Sequence, residues 1–244
     1  MSVCIVIPSR LGSTRLPEKA LLDINGKPMV QHVYERACQV RDVSDVIVAT
    51  DHEKIFRAVV KFGGEAVMTP ATLNSGTDRV AAVARQKRHR IFVNVQGDEP
   101  MLDPKCVERC VELVQSGRFP ITTPAAPLKD EAALRNPNVV KVLVAADERA
   151  VYFSRFPIPY SRGALPGDFS QAALRHHLGV YVYTREILLK FTEFKPSPWE
   201  AAESLEQLRA LYYGIPIGVA QADHATPGVD THEDLEFVRR AMLV

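Results

Sequence analysis

The first half of the chain alternates short, almost unbroken apolar runs with stretches whose apolar residues recur at helical spacing. VCIVI (Val3–Ile7) stops at Pro8, as a strand buried on both faces does. Met29, Val30, Val33, Tyr34 and Ala37 then mark one face of a helix that begins near Pro28. DVIVAT (Asp45–Thr50) reads as the next strand. The string Thr50-Asp51-His52-Glu53 has capping-box spacing and predicts a helix to about Phe62. EAVM (Glu65–Met68) is a short strand, Gly76 to Arg88 a helix, and IFVNV (Ile91–Val95) a strand buried on both faces. Asp103 to Gln115 is helical and stops at Gly117. This order predicts an α/β fold with a doubly wound, mostly parallel sheet and right-handed crossovers. Ligands in such folds sit outside the carboxyl ends of the strands, where the loops from Pro8, Thr50 and Gln96 emerge.

After Thr122 the pattern loosens. VVKVLVAA (Val139–Ala146) and LGVYVYT (Leu178–Thr184) read as strands, and Ser161 to Arg175 between them has no clear periodicity. Ser197-Pro198 is a helix start, with serine as cap and proline in the first position, and predicts one helix to Tyr213 ended by Gly214. IPIGVAQ is a last strand. Thr231 caps the last helix, with Asp234 three residues on.

Composition narrows the function classes. The 244 residues are 46% hydrophobic, enough for a substantial core, and carry 30 Lys+Arg against 29 Asp+Glu, a net charge of +1. That balance argues against a nucleic-acid partner, so any anion site must be local. No apolar stretch is long enough for a membrane span, and Pro8 and Arg10 interrupt anything resembling a secretory signal. Cys4, Cys38, Cys106 and Cys110 have no metal-finger spacing and read as free thiols, which fits a cytoplasmic protein.

Three loops carry candidate chemistry. IPSRLGSTRLPEKAL places Gly12, Ser13 and Thr14 among Arg10, Arg15 and Lys19. Small residues let backbone N–H groups approach polyphosphate oxygens while the cations offset their charge; a solvated basic loop is the ordinary alternative. QGDEP (Gln96–Pro100) sets Asp98 at the sheet's carboxyl edge, where it holds either Mg²⁺ or its own backbone turn. NSGTDR (Asn74–Arg79) puts Arg79 in the first turn of a helix, opposed by the dipole, so it reaches a ligand or pairs with a carboxylate. Asp230, before the last helix, reads on its own as a contributor to the cap. Arg155, His176 and His177 add cations to the second half, and Glu206 and Gln207 sit on a late helix.

As an ordered set, IPSRLGSTRLPEKAL, ATD, SGTDR, VNVQGDEP, NPNVVKV, YFSRFPIPY, HLGVYVYT, ESLEQLRAL and GVDTHEDLE resemble the CMP-KDO synthetases, the 3-deoxy-manno-octulosonate cytidylyltransferases. The resemblance runs from Val3 to about Val238. It implies one nucleotidyltransferase domain: a nucleotide-binding core at 1–125, a smaller α+β lobe for sugar binding and dimerisation at 126–222, and a metal-site loop and helix at 223–244. It further implies that CTP and KDO are the substrates, Mg²⁺ the cofactor, and a homodimer the assembly. Lys19, Asp98 and Asp230 become the catalytic residues, the two aspartates as magnesium ligands. Pro8, Arg10, Gly12, Ser13, Thr14, Arg15, Lys19, Ser75, Arg79 and Gln96 would bind the nucleotide. Gln96, Arg155, His177, Tyr181, Glu206 and Gln207 would hold the sugar acid. A different acidic sugar, of the sialic acid or amino-KDO type, and a catalytically silent nucleotide-binding protein are the alternatives. The chain departs from the family's usual pattern at Glu18 and Ala20, which flank Lys19 where many members read Gly-Lys-Pro. It also departs at Asp78, at His232, and through Ser161–Arg175.

Overall fold

A computed structural model describes residues 2–12, 16–160 and 174–243, so Ser13, Thr14, Arg15 and most of the unpatterned 161–175 stretch lie outside the described residues. The chain runs β1 (Val3–Ser9), β2 (Asp23–Ile24), β3 (Lys27–Pro28), α1 (Met29–Ala37), β4 (Asp45–Thr50), α2 (Glu53–Lys61), β5 (Glu65–Met68), α3 (Gly76–Gln86), β6 (Ile91–Asn94) and α4 (Pro104–Gln115). It continues with β7 (Ile121–Pro127), α5 (Glu131–Arg135), β8 (Lys141–Val144), β9 (Ala150–Ser154), β10 (Leu174–His177), β11 (Tyr181–Thr184), α6 (Arg185–Phe191), α7 (Pro198–Glu203), α8 (Leu208–Tyr212), β12 (Ile217–Gln221) and α9 (His232–Ala241). These elements form two compact units, one of residues 1–108 and 226–244, the other of residues 109–225.

In the first unit the sheet order is β5-β4-β1-β6, and every pairing is parallel. The chain leaves β1 in one direction to β4 and β5, then returns to place β6 on β1's other side. The β1/β6 boundary is therefore the topological switch point, where an open α/β sheet leaves a crevice at the strands' carboxyl ends. The fully buried run Val3–Ile7 and the buried β6 explain why both strands are apolar on successive residues. Gly97, just past β6, fits because it lacks a side chain: a Cβ there would lie 2.8 Å from Ser9 Oγ and 3.1 Å from the Pro8 carbonyl oxygen. Leu16, Ile24, Met29, Val229, Leu235 and Val238 pack as one apolar cluster, which seats α9 on the loop after β1. The expected α/β, parallel-sheet architecture is what this unit has.

The second unit is a mixed sheet. β7 pairs antiparallel with β11 and β10 and parallel with β12; β10 continues to β8 and β8 to β9, both antiparallel.

Three sequence expectations need correction. Thr50 does not open a capping box. β4 runs through it, and α2 is capped by His52, whose Nδ1 accepts from the Lys54 N–H at 3.1 Å. The single helix expected from Pro198 to Tyr213 is two, because Ser204 turns left-handed (φ 53°) and ends α7. The expected strand Leu178–Thr184 begins only at Tyr181, and Leu174 and Arg175 belong to β10 instead of an irregular stretch.

Candidate active site

A cavity of 370 Å³ in the first unit is lined from the β1 loop by Pro8, Arg10, Gly12 and Lys19, and from the start of α3 by Ser75 and Arg79. Gln96 and Asp98 after β6, with Asp230 before α9, complete the expected residues found there. Lys19 thus meets Asp98, 79 positions away, and Asp230, 211 positions away; the loops after β1 and β6 are neighbours because those strands are adjacent and parallel.

Lys19 is the hub. Its Nζ donates to Asp98 Oδ2 at 2.6 Å and to Asp230 Oδ1 at 2.9 Å. Burial works against its charge, but Asp98 and Asp230 more than offset this and raise its pKa above the usual lysine value, so it is an ammonium. The lysine starts a 3-10 turn, Lys19–Leu21, preceded by Glu18 at φ 52°. That left-handed conformation is one glycine adopts without strain. Glu18 carries it while its carboxylate pairs with Lys54 of α2, turned toward that helix.

Asp230 does not cap α9. Thr231 Oγ1 accepts from the Asp234 N–H at 3.2 Å, and Asp234 Oδ2 accepts from the N–H groups of Thr231 and Asp230 at 2.8 and 3.0 Å. The cap therefore fixes Asp230's backbone and leaves its carboxylate for Lys19. The Val229 N–H also donates to the Asp98 carbonyl at 2.9 Å, tying the two aspartate segments together. Next to Asp98, desolvation and that neighbour's charge push the Glu99 carboxyl up to about 8, so it is largely protonated at neutral pH.

Two hard carboxylate oxygens converging on one ammonium form a pair that also suits Mg²⁺, which takes one or two carboxylates and fills its remaining positions with water and phosphate oxygens. Among the described residues no group of three or more His, Cys, Asp or Glu gathers as a metal cage. The donor set fits a metal that arrives chelated to a substrate.

Arg79 lines the cavity but spends its guanidinium inside the protein. It donates to Asp51 Oδ2 at 2.6 Å, Thr69 Oγ1 at 2.8 Å and the Pro70 carbonyl at 3.3 Å, and it is 4% exposed. Asp51 Oδ1 in turn accepts from the Leu11 N–H at 3.4 Å, so this pair braces the loop after β1. Ser75 caps α3 in a box with Asp78 (3.1 and 3.2 Å), and the helix's positive end faces the cavity. Sequence reasoning assigned Asp51 no role; its signal was its place at the carboxyl end of β4. It also passed over Ser9, a lining residue whose buried Oγ has no hydrogen-bond partner.

The remaining candidates, Arg155, His177, Tyr181, Glu206 and Gln207, lie in the second unit. His177 and His176 are not the cations expected from sequence. Burial, with His176 beside it, pushes His177 down to about 3, and burial, with Lys141 nearby, lowers His176. The Thr123 hydroxyl spends its proton on the Val180 carbonyl at 2.7 Å, so His177 Nε2 donates to Thr123 Oγ1 at 3.0 Å and its Nδ1 is the acceptor. Tyr181 packs its ring 5.4 Å from His177, and burial holds its hydroxyl protonated. Gln207 is 8% exposed, and its buried Nε2 has no partner. Such an orphaned donor is costly unless a ligand satisfies it.

Residues 4–217 match the family model described as cytidylyltransferase. The chain belongs to the cytidylyltransferase family. The 3-deoxy-manno-octulosonate cytidylyltransferase of Escherichia coli is 46% identical over 241 residues, covering 98% of this chain and 95% of that protein. The 8-amino-3,8-dideoxy-manno-octulosonate cytidylyltransferase of Shewanella halifaxensis is 42% identical over 249 residues, covering 100% of both. A solved structure of CMP:2-keto-3-deoxy-manno-octonic acid synthetase complexed with CTP aligns with a TM-score of 0.94 at 44% identity, over 100% of this chain and 99% of that one.

Two predictions follow from this cytidylyltransferase's geometry. Asp51→Asn leaves the buried Arg79 uncompensated and should cost about 3 kcal/mol of unfolding free energy. Arg79→Met should cost less when added to Asp51→Asn than alone; additive losses in denaturant unfolding would show that the pair is not coupled. His177 binds its proton in the unfolded chain near 6.5 but in the folded chain only near 3. Its contribution to stability is therefore complete above about 6.5 and is lost as pH falls toward 3. Unfolding measured between these values should show a slope shallower in His177→Phe by up to about 1.4 kcal/mol per pH unit; equal slopes would refute a neutral His177.

Proposed function

We propose that this protein transfers CMP from CTP to the anomeric hydroxyl of 3-deoxy-D-manno-octulosonate, releasing pyrophosphate, as a step toward lipopolysaccharide precursors. The observation that carries the reading is the convergence of Asp98 and Asp230 on Lys19 at the mouth of a polar cavity on the β1/β6 switch point. Relatives acting on this sugar at 44–46% identity over nearly the whole chain support the substrate.

In this reading Arg10, Gly12, Lys19 and the start of α3 receive the triphosphate, with Ser13, Thr14 and Arg15 in the same loop. Ser75 and Gln96 address the ribose and base, while Arg79 acts chiefly by bracing the loop through Asp51. Asp98 and Asp230 would hold Mg²⁺, which when bound neutralises phosphate charge and lowers the pKa of a coordinated hydroxyl. Lys19, held beside both carboxylates, would offer its ammonium to the phosphates. The sugar's anomeric oxygen bonds to the α-phosphorus as the bridge to the β-phosphorus breaks. The hydroxyl proton passes to solvent water, and charge grows on the departing pyrophosphate. Phosphoryl transfer of this kind needs positioning and charge neutralisation more than covalent help from the protein. In the second unit Arg155 supplies the cation for the sugar carboxylate. Neutral His177, Tyr181, Glu206 and the unpaired Gln207 amide offer hydrogen bonds to the hydroxyls.

The 8-amino sugar is the second reading, favoured by relatives at 41–42% identity that cover the full chain. A silent nucleotide-binding protein is disfavoured because Lys19 and both aspartates are retained in one contact. A homodimer suits the exposed aromatics Trp199, Tyr212 and Tyr213 of the second unit. No helix among the described residues is long and apolar enough to cross a membrane.

Mass spectrometry of the product from CTP, Mg²⁺ and the two sugar acids in competition tests the assignment. CMP-3-deoxy-manno-octulosonate should dominate, and Asp98→Ala should form essentially none while unfolding as cooperatively as wild type. Predominance of the amino product would transfer the assignment to that sugar, and near-normal turnover by Asp98→Ala would refute the site.

A further inference from the structure

We propose that Glu203 and Lys141 are positioning residues that aim Arg155, an inference that rests on Arg155 binding the sugar carboxylate. Neither residue had a part in the reading above, although Glu203 opens the ESLEQLRAL motif and Lys141 lies in NPNVVKV.

β9 ends at the buried Ser154, and Arg155 is the next residue. Glu203, the last residue of α7, grips this point with its carboxylate: Oε1 accepts from Ser154 Oγ at 2.7 Å and Oε2 from the Arg155 N–H at 2.9 Å. From the other side Lys141, fully buried on β8, donates its Nζ to the Arg155 carbonyl at 2.5 Å and to the Asn136 carbonyl at 3.0 Å. The peptide groups on both sides of the Arg155 Cα are thus each held by a charged group.

The guanidinium is fixed as well. Nε donates to the Glu203 carbonyl at 2.8 Å, Nη2 to the Ser204 carbonyl at 3.3 Å and Nη1 to the Pro137 carbonyl at 3.0 Å. Because Ser204 turns left-handed, α7 stops there and its last carbonyls lack helical partners. The arginine satisfies them. Of the five N–H donors of a guanidinium, three are engaged, one on each nitrogen, and one remains on each Nη. Since the group is planar, holding three donors fixes the direction of the other two.

Lys141 and Glu203 also balance each other. Burial and the positive charge of Arg155 disfavour the Lys141 ammonium, while Glu203 favours it. Removing the carboxylate leaves two cations, Lys141 and Arg155, without their shared counter-charge. A carboxylate substrate would be met by an arginine whose guanidinium keeps its backbone carbonyls but whose own N–H and neighbouring Ser154 have lost the Glu203 carboxylate.

Steady-state kinetics with CTP and 3-deoxy-manno-octulosonate tests this in Glu203→Gln, Glu203→Ala, Lys141→Met and Arg155→Ala. Glu203→Gln keeps one acceptor but turns its amide against a donor, so KM for the sugar should rise by about tenfold, with KM for CTP unchanged. Glu203→Ala and Lys141→Met should raise it further. A lesion that merely destabilises the fold would lower the melting temperature and leave the ratio of the two KM values unaltered, and that result in Glu203→Gln overturns the proposal. Should the alanine and methionine variants fail to fold, Glu203→Gln and Ser154→Ala still decide it, because both preserve volume closely. Arg155→Ala separates the two levels. If it leaves sugar KM unchanged, the assignment of Arg155 itself fails. If it raises sugar KM while Glu203→Gln does not, the positioning role alone fails.

Discussion

One ammonium between two carboxylates organises the face of the first unit at the carboxyl ends of its strands. Lys19 comes from the loop after β1, Asp98 from the turn after β6, and Asp230 from the segment ahead of α9, and they meet within 2.6–2.9 Å. Two carboxylates brought this close repel unless a cation sits between them, and a lysine this buried loses its charge unless carboxylates hold it. Each side of the contact makes the other tolerable. Beneath it the apolar cluster of Leu16, Met29, Val229 and Leu235 supplies the hydrophobic gain that docks the C-terminal segment. The site requires a positive charge at that point, and the protein has one to place there before any substrate arrives.

The same electrostatic logic recurs where charged side chains hold other side chains in place. Arg79 and Asp51 neutralise each other while bracing the backbone of the loop at Leu11. In the second unit Glu203 and Lys141 treat Arg155 similarly, and Arg209 binds Glu200 at 2.5 Å with Glu206 at 3.8 Å.

The first unit was legible because its strands are buried on both faces and read as apolar runs, and parallel order then dictated where their loops meet. The loop after β1 alone said only that a polyphosphate was suited to it; Asp98 and Asp230 acquired meaning through the ordered motif set. The second unit hid its elements for identifiable reasons. β7 carries Pro124 and Pro127 within ITTPAAP, residues that argue against a paired strand, yet Pro124 is accommodated in register with Ala220. The break after α7 falls at a left-handed serine, where glycine would have announced it. Paired histidines looked like cations because burial cannot be seen in sequence. Glu18, the most puzzling departure in the loop, pairs with Lys54 of α2, a partner 36 positions away that no local pattern reveals.

The central claim is that the Lys19 ammonium occupies the position a divalent cation would take between Asp98 and Asp230. Binding of Mn²⁺ to nucleotide-free protein, followed by electron paramagnetic resonance, tests it most directly. Lys19→Met should bind Mn²⁺ more tightly than wild type by about tenfold or more, because the two carboxylates lose their resident charge. Adding Asp230→Asn should abolish that gain. Equal affinity in wild type and Lys19→Met, or a gain that survives loss of the Asp230 charge, would contradict the account.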